Sequence, residues 1–122
     1  MIANLRYDQS SSGKYSIQVT GSKSESNRLL ILQALFAQLE IENISNSDDS
    51  KVLSKALAQG SGTIDIHHAG TAMRFLTAYF AVQNDVEVEL TGSERMQERP
   101  IGILVDALRS LGANIEYVKN DG

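Results

Sequence analysis

Hydrophobic positions along this chain switch between two periods, one near two residues and one near three and a half. Tyr15 to Val19 alternates with polar residues, which predicts a short strand after a turn or loop at Ser10-Ser11-Ser12-Gly13. Leu29, Leu32, Leu35, Phe36 and Leu39 then recur at helical spacing, just after the polar cluster Ser24, Ser26, Asn27. Ile41 to Ile44 reads as a strand. Asn46-Ser47-Asp48-Asp49 is an N-cap region for a helix carrying Val52, Leu53, Ala56 and Leu57, which Gly60 and Gly62 end. The second half repeats the rhythm. Ile64 and Ile66 mark a strand, Thr71 to Val82 a helix with Met73, Leu76, Tyr79 and Phe80 on its apolar face. Val86, Val88 and Leu90 alternate with Glu87 and Glu89, a half-buried strand with one wet face. Pro100 suits a helix's first turn, Ile101, Leu104, Val105, Leu108 and Leu111 form that helix's stripe, and Gly112 is its expected C-cap. Ile115 to Val118 closes as a strand. The pattern is an α/β alternation with no internal linker, low-complexity tract or repeat.

Composition narrows the class. At 122 residues the chain fits one domain with a modest core. A net charge of −4 argues against a nucleic-acid binder, which normally shows a basic stripe. Cysteine is absent, which removes disulfides, thiol nucleophiles and thiolate metal sites. The N-terminus lacks the pattern of a signal peptide, and no apolar run approaches the roughly 20 residues of a membrane helix. These features predict a soluble, cytoplasmic protein with neither nucleic acid nor membrane as a partner.

Candidate chemistry sits in three short stretches, each placing a cation or small polar group where a helix should begin. They are Gly21-Ser22-Lys23-Ser24-Glu25-Ser26-Asn27-Arg28, Ala69-Gly70-Thr71-Ala72-Met73-Arg74 and Glu94-Arg95-Met96-Gln97-Glu98-Arg99-Pro100. Helix N-termini present free N–H groups and the positive end of the macrodipole, so each is a potential anion site. Taken singly, each stretch has a plainer explanation. Gly-Ser-Lys-Ser is usually only a turn and a cap, and it is not a Walker A loop. Arg74 and Arg99 read as surface or capping arginines, and Asp48-Asp49 as an N-cap with its dipole complement. His67-His68 is a poor metal pair, because adjacent strand residues point to opposite faces. No metal site is expected.

In order, the three stretches resemble the signature segments of the EPSP synthase (3-phosphoshikimate 1-carboxyvinyltransferase) family. The third continues as Arg95-Met96-Gln97-Glu98-Arg99-Pro100-Ile101-Gly102 and Leu104-Val105-Asp106-Ala107-Leu108, and Ser47-Asp48-Asp49 resembles the family's Ser-Asp-Asp element. The related UDP-N-acetylglucosamine enolpyruvyl transferases carry Gly-Ala-Lys-Asn in place of Gly-Ser-Lys-Ser and fit less well. The resemblance implies an α/β fold: part of one domain of an inside-out α/β barrel built from βαβαββ-type units. Residues 1–20 would be an N-terminal strand and hinge segment, and 21–122 a partial N-terminal domain. It also implies transfer of the enolpyruvyl group of phosphoenolpyruvate to the 5-hydroxyl of shikimate 3-phosphate, with release of phosphate and no cofactor. This is a step of the shikimate pathway to aromatic amino acids.

The resemblance also implies roles. Lys23 would bridge both substrates. Ser24 and Arg28 would hold shikimate 3-phosphate, and Gly70 and Arg99 phosphoenolpyruvate. Lys23 and Asp49 are the catalytic candidates, Asp49 serving equally well as a helix cap, and His68, Arg74 and Arg95 support the site. Lys23, Arg28 and Arg99 are expected on one surface, since βα alternation gathers helix starts on one side of a sheet or barrel. The chain departs from the pattern at Thr20 and Phe75, where proline is usual, and at His68, where asparagine is usual. The interval between Asp49 and the second segment is also shorter. Family members run to more than three times this length, so an N-terminal portion, inactive alone, is expected. Its partners are the two substrates, the remainder of the same enzyme and, through uncovered apolar edges, other copies of itself. A non-catalytic anion-binding module is the alternative.

Overall fold

The computed structural model describes Ala3, Asn4, Arg6 and residues 13–119. The turn expected at residues 10–13 lies outside these except for Gly13. Helix α1 runs Lys23–Leu35, earlier than the hydrophobic period implied, so Ser24, Ser26, Asn27 and Arg28 lie within it. The start is set by Ser22, whose hydroxyl accepts from the Glu25 N–H at 3.5 Å while Glu25 places a negative charge in the first turn. Its buried residues are Ser26, Asn27 and Leu30. The leucine stripe is not the packed face: Leu32, Leu35 and Phe36 are 41, 47 and 54% exposed. Polar bonds decide the rotation of the helix. Ser26 Oγ accepts from the buried Ser45 N–H at 2.8 Å, and Asn27 Oδ1 accepts from Ser50 Oγ at 2.7 Å.

Helix α2, Asp48–Gln59, follows the sequence reading closely. Ser47 caps it through the Ser50 N–H, Asp48 and Asp49 occupy the first turn, Leu53 and Ala56 are buried, and Gly60 ends it at φ 72°. Strand β1, Gly62–Asp65, pairs in parallel with β2, Val88–Thr91, in the register Gly62–Val88 to Asp65–Thr91. Helix α3, Gly70–Phe80, is the crossover between them. A single-turn helix α4, Glu94–Gln97, was not anticipated. Ser93 caps it through the Met96 N–H. Helix α5 is Gly102–Ser110, so Pro100 falls just before the helix rather than in its first turn. The helix closes with a Schellman pair, Ala113 N–H to Leu108 O and Gly112 N–H to Arg109 O. No helix among the described residues is long and apolar enough to cross a membrane.

Three expected strands form no sheet among the described residues. Residues 15–19 are exposed and lack a neighbouring strand. At residues 41–44, Asn43 adopts φ 50°, which breaks an extended run. In residues 115–118, the Ile115 carbonyl is taken by Arg109 Nε at 2.9 Å, and the Arg109 guanidinium lies over the Tyr117 ring. The core joins Leu30, Leu53, Ala56, Ile64, Ile66, Ala69, Ala72, Leu76 and Met96, so α1, α2 and α3 pack together with β1 and with Met96 of α4.

Candidate functional site

The turn from β1 into α3 is the centre of the site. His67 takes φ 51°, which reverses the chain, and its N–H donates to Asp65 Oδ1 at 2.8 Å. Its carbonyl accepts from the Ser93 N–H at 2.9 Å, fastening this turn to the one before α4. The chain then enters α3 at the buried Ala69 and Gly70, with no side-chain cap on the helix start. The Gly70 N–H donates to His68 O at 3.0 Å, and the N–H groups that follow it in the first turn of α3 meet no capping side chain.

Arg99 lies directly against Gly70: a Cβ built there would collide with the guanidinium. Its backbone N–H donates to Met96 O at 3.1 Å, and the buried Met96 anchors that turn to the core. Arg74 is committed to structure. Its Nη1 donates to Gly70 O at 3.3 Å and its Nη2 to Pro100 O at 2.9 Å, tying α3 to the segment after α4. Arg95 is exposed on α4 and forms no ion pair among the described residues.

On the other side of the α3 start, Lys23 Nζ stands 4.0 Å from Asp49 Oδ1. An ion pair this exposed stabilises the fold little, so both groups remain available to a ligand. Asp49 and Asp48 line an open cavity of about 460 Å³ together with Lys51, His67, His68 and Ala69. Arg28 is exposed, its Nη1 donates to Ser24 O at 2.7 Å, and its guanidinium lies 5.7 Å from the centre of the Phe75 ring on α3. Ser24 is exposed on the first turn of α1. Contacts thus run from Lys23 to Asp49, through the shared cavity to Ala69, and on to Gly70 and Arg99, while Arg28 reaches α3 through Phe75. His67 and His68 share the cavity with the two aspartates, yet no cluster of three metal-ligating side chains forms among the described residues.

The sequence marks Phe75 as a departure from the family pattern and Asn27 as part of a polar cluster, but not the contacts that they make. Asn27 is fully buried, and its Nδ2 has no hydrogen-bond partner among the described residues. The signal was Ser22-x-x-Glu25, the residue pattern of a capping box, which starts the helix at Lys23 and puts Asn27 on the face of Leu30.

The unit is α/β, with Arg99 against the start of α3, which has no side-chain cap, and Lys23 in the first turn of α1, which Ser22 caps; helix starts with cations beside them are the kind of place where anions are held. The EPSP synthase (3-phosphoshikimate 1-carboxyvinyltransferase) family model matches residues 50–122, and the chain belongs to that family. It is similar to the 3-phosphoshikimate 1-carboxyvinyltransferase of Bacteroides fragilis, 54% identical over 110 residues, covering 89% of this chain and 27% of that protein. The Histophilus somni protein of the same name is 40% identical over 135 residues, covering 87% of this chain and 31% of that one. That alignment is longer than the 122-residue chain, so the match is gapped, whereas the Bacteroides match runs nearly without gaps. The pentafunctional AROM polypeptide of Komagataella phaffii is 40% identical over 133 residues, 84% of this chain and 9% of that protein. The chain spans between a quarter and a third of the length of the two single-function relatives.

Proposed function

We propose that this chain is the N-terminal part of an enzyme that transfers the enolpyruvyl group of phosphoenolpyruvate to the 5-hydroxyl of shikimate 3-phosphate, releasing phosphate, in the cytoplasm. The observation that carries the reading is the guanidinium of Arg99 held against the side-chain-free Gly70 at the start of α3. That arrangement offers a phosphate or carboxylate a planar fork of N–H donors next to backbone N–H groups. Both substrates are anions, each bearing one phosphate and one carboxylate. Bringing them together requires cations that offset their mutual repulsion, and Lys23, Arg28 and Arg99 supply three.

The roles are those the family resemblance implies, with chemistry and position in their support. Lys23, a compact charge on a flexible stem, bridges the substrates. Arg28 and Ser24 hold shikimate 3-phosphate, and Gly70 and Arg99 hold phosphoenolpyruvate. In the reaction a proton reaches the methylene carbon of phosphoenolpyruvate, another leaves the attacking hydroxyl, and carbon 2 passes through a tetrahedral adduct. Asp49 is the carboxylate assigned to this chemistry, a reading supported by Lys23 Nζ 4.0 Å from its Oδ1. Cations gathered around the adduct stabilise its charge redistribution.

The test is phosphate release by the complete protein with both substrates present. Arg99→Ala is expected to lower kcat/KM for phosphoenolpyruvate by about a hundredfold, the order seen when one aligned electrostatic donor is removed. Turnover by the parent that Arg99→Ala leaves intact would sink the assignment of the phosphoenolpyruvate subsite.

A further inference from the structure

We infer that Phe75 is a positioning residue for the shikimate 3-phosphate side of the site, holding the Arg28 guanidinium in place with its ring. This rests on the reading of Arg28 as a ligand for that substrate. Arg28 is an exposed side chain with several rotatable bonds, and such a group loses considerable freedom when it grips a ligand. Two contacts restrain it here before any ligand arrives. One is the bond from Nη1 to Ser24 O at 2.7 Å, within its own helix. The other comes from a different element, the Phe75 ring of α3, with its centre 5.7 Å from Arg28 Cζ.

The two restraints leave the chemistry of the arginine intact. An aromatic face attracts the cation through its quadrupole and takes up no N–H donor. Of the five donors on a guanidinium, one is committed to Ser24, and the others remain for an anion. A carboxylate in the same position would neutralise the charge that phosphate requires. Phe75 is itself firmly seated, half-buried and packed against the core cluster beside Leu76, so the ring is a fixed platform. It also lies one helical turn from Thr71, so it couples the arginine on α1 to the helix whose start faces Arg99.

The experiment uses the complete protein and steady-state kinetics with each substrate varied separately. Phe75→Leu should raise KM for shikimate 3-phosphate about two- to fivefold, the range expected from an exposed cation–π contact. KM for phosphoenolpyruvate and kcat should hold, and Phe75→Tyr should restore the parent value. Because leucine also changes packing, 3,4,5-trifluorophenylalanine at position 75 is the decisive variant. It keeps the ring's shape while weakening its negative face, and should raise the same KM as leucine does. In an Arg28→Ala background, neither change at position 75 should alter KM further. A trifluorinated variant identical to the parent, or an effect that persists without Arg28, would overturn the inference and leave Phe75 as packing alone. Failure of the proposed function is separately visible as absence of turnover in the parent.

Discussion

Asn27 and Gly70 show how single residues fix the geometry at this site. Asn27 is fully buried, accepts from Ser50 Oγ at 2.7 Å, and leaves Nδ2 unpartnered among the described residues. An orphaned buried donor costs stability, but Oδ1 pins α1 to α2 and sets the rotation that presents Lys23 and Arg28. Asn27→Ala is expected to lower the unfolding free energy of the chain by about 1–3 kcal/mol, the cost of losing a buried partner. Urea denaturation would measure it, and an unchanged midpoint would mean that the α1–α2 contact does not depend on this bond. Gly70 acts differently. Its φ lies outside the left-handed region, so alanine suits the backbone and the helix. The collision of the new Cβ is with a long, exposed side chain, Arg99, which can swing away. Gly70→Ala should therefore leave the melting temperature within a few degrees of the parent. Yet it should weaken phosphoenolpyruvate binding by the complete protein about tenfold or more, the equivalent of one charged hydrogen bond. A large loss of melting temperature would show instead that Arg99 cannot move.

The elements differ in how openly the chain declares them. Helix α2 is fully written in its sequence, with Ser47 and two aspartates at one end and Gly60 at the other. Ser47→Ala should cost about 1 kcal/mol through the lost cap. Gly60→Ala should cost about 1–2 kcal/mol, because φ 72° forces a Cβ toward the following carbonyl. The two sites sit at opposite ends of a 12-residue helix, roughly 18 Å apart, so the double variant should lose close to the sum. A clearly non-additive pair in thermal unfolding would show that α2 frays from one end only. Helices α3 and α5 and the paired strands were legible from their periods, but not their starts: neither helix has a side-chain N-cap, and Pro100 lies just before α5. Helix α1 was legible as a helix but not in its facing, since two polar bonds, Ser26 with the Ser45 N–H and Asn27 with Ser50, outrank a leucine stripe in setting its rotation. The segments at 15–19, 41–44 and 115–118 have the residues of strands, but a strand also needs a neighbour, which local pattern cannot supply. Within the site, the helix starts were visible as motifs. The placement of Arg28 on Phe75 was not, because it depends on how α1 packs on α3.

At the scale of the molecule, the 122-residue chain has cationic groups and large apolar side chains in the open. Ile103 on α5 is 92% exposed and Leu111 85%, while Val82 and Phe36 are more than half exposed. A two-stranded sheet also leaves both of its edges unpaired among the described residues. Such a surface favours association, so the purified chain should sediment as species larger than a monomer at tens of micromolar. Ile103→Lys should shift it toward the monomer by placing a charge on the apolar surface of α5. Ligand binding follows the opposite charge logic. The net charge of −4 repels anions at long range, and only the local cations Lys23, Arg28 and Arg99 draw them in. Binding of shikimate 3-phosphate to the isolated chain should therefore be weak, and weaker again between 0.05 and 0.5 M salt as screening tightens from roughly 14 to 4 Å. Turnover is a harder demand. It needs groups on both sides of the substrates to give and take protons, and the pair proposed for that role here is Asp49 with Lys23, 4.0 Å apart on one side. The isolated chain is expected to release no phosphate from the two substrates above the uncatalysed rate. Adding the remainder of the polypeptide in trans should restore release if the missing face can dock on the exposed side chains. Phosphate release by the isolated chain, with no second polypeptide present, would place the whole of the acid–base chemistry on α1 to α5 and refute the division of labour proposed for it.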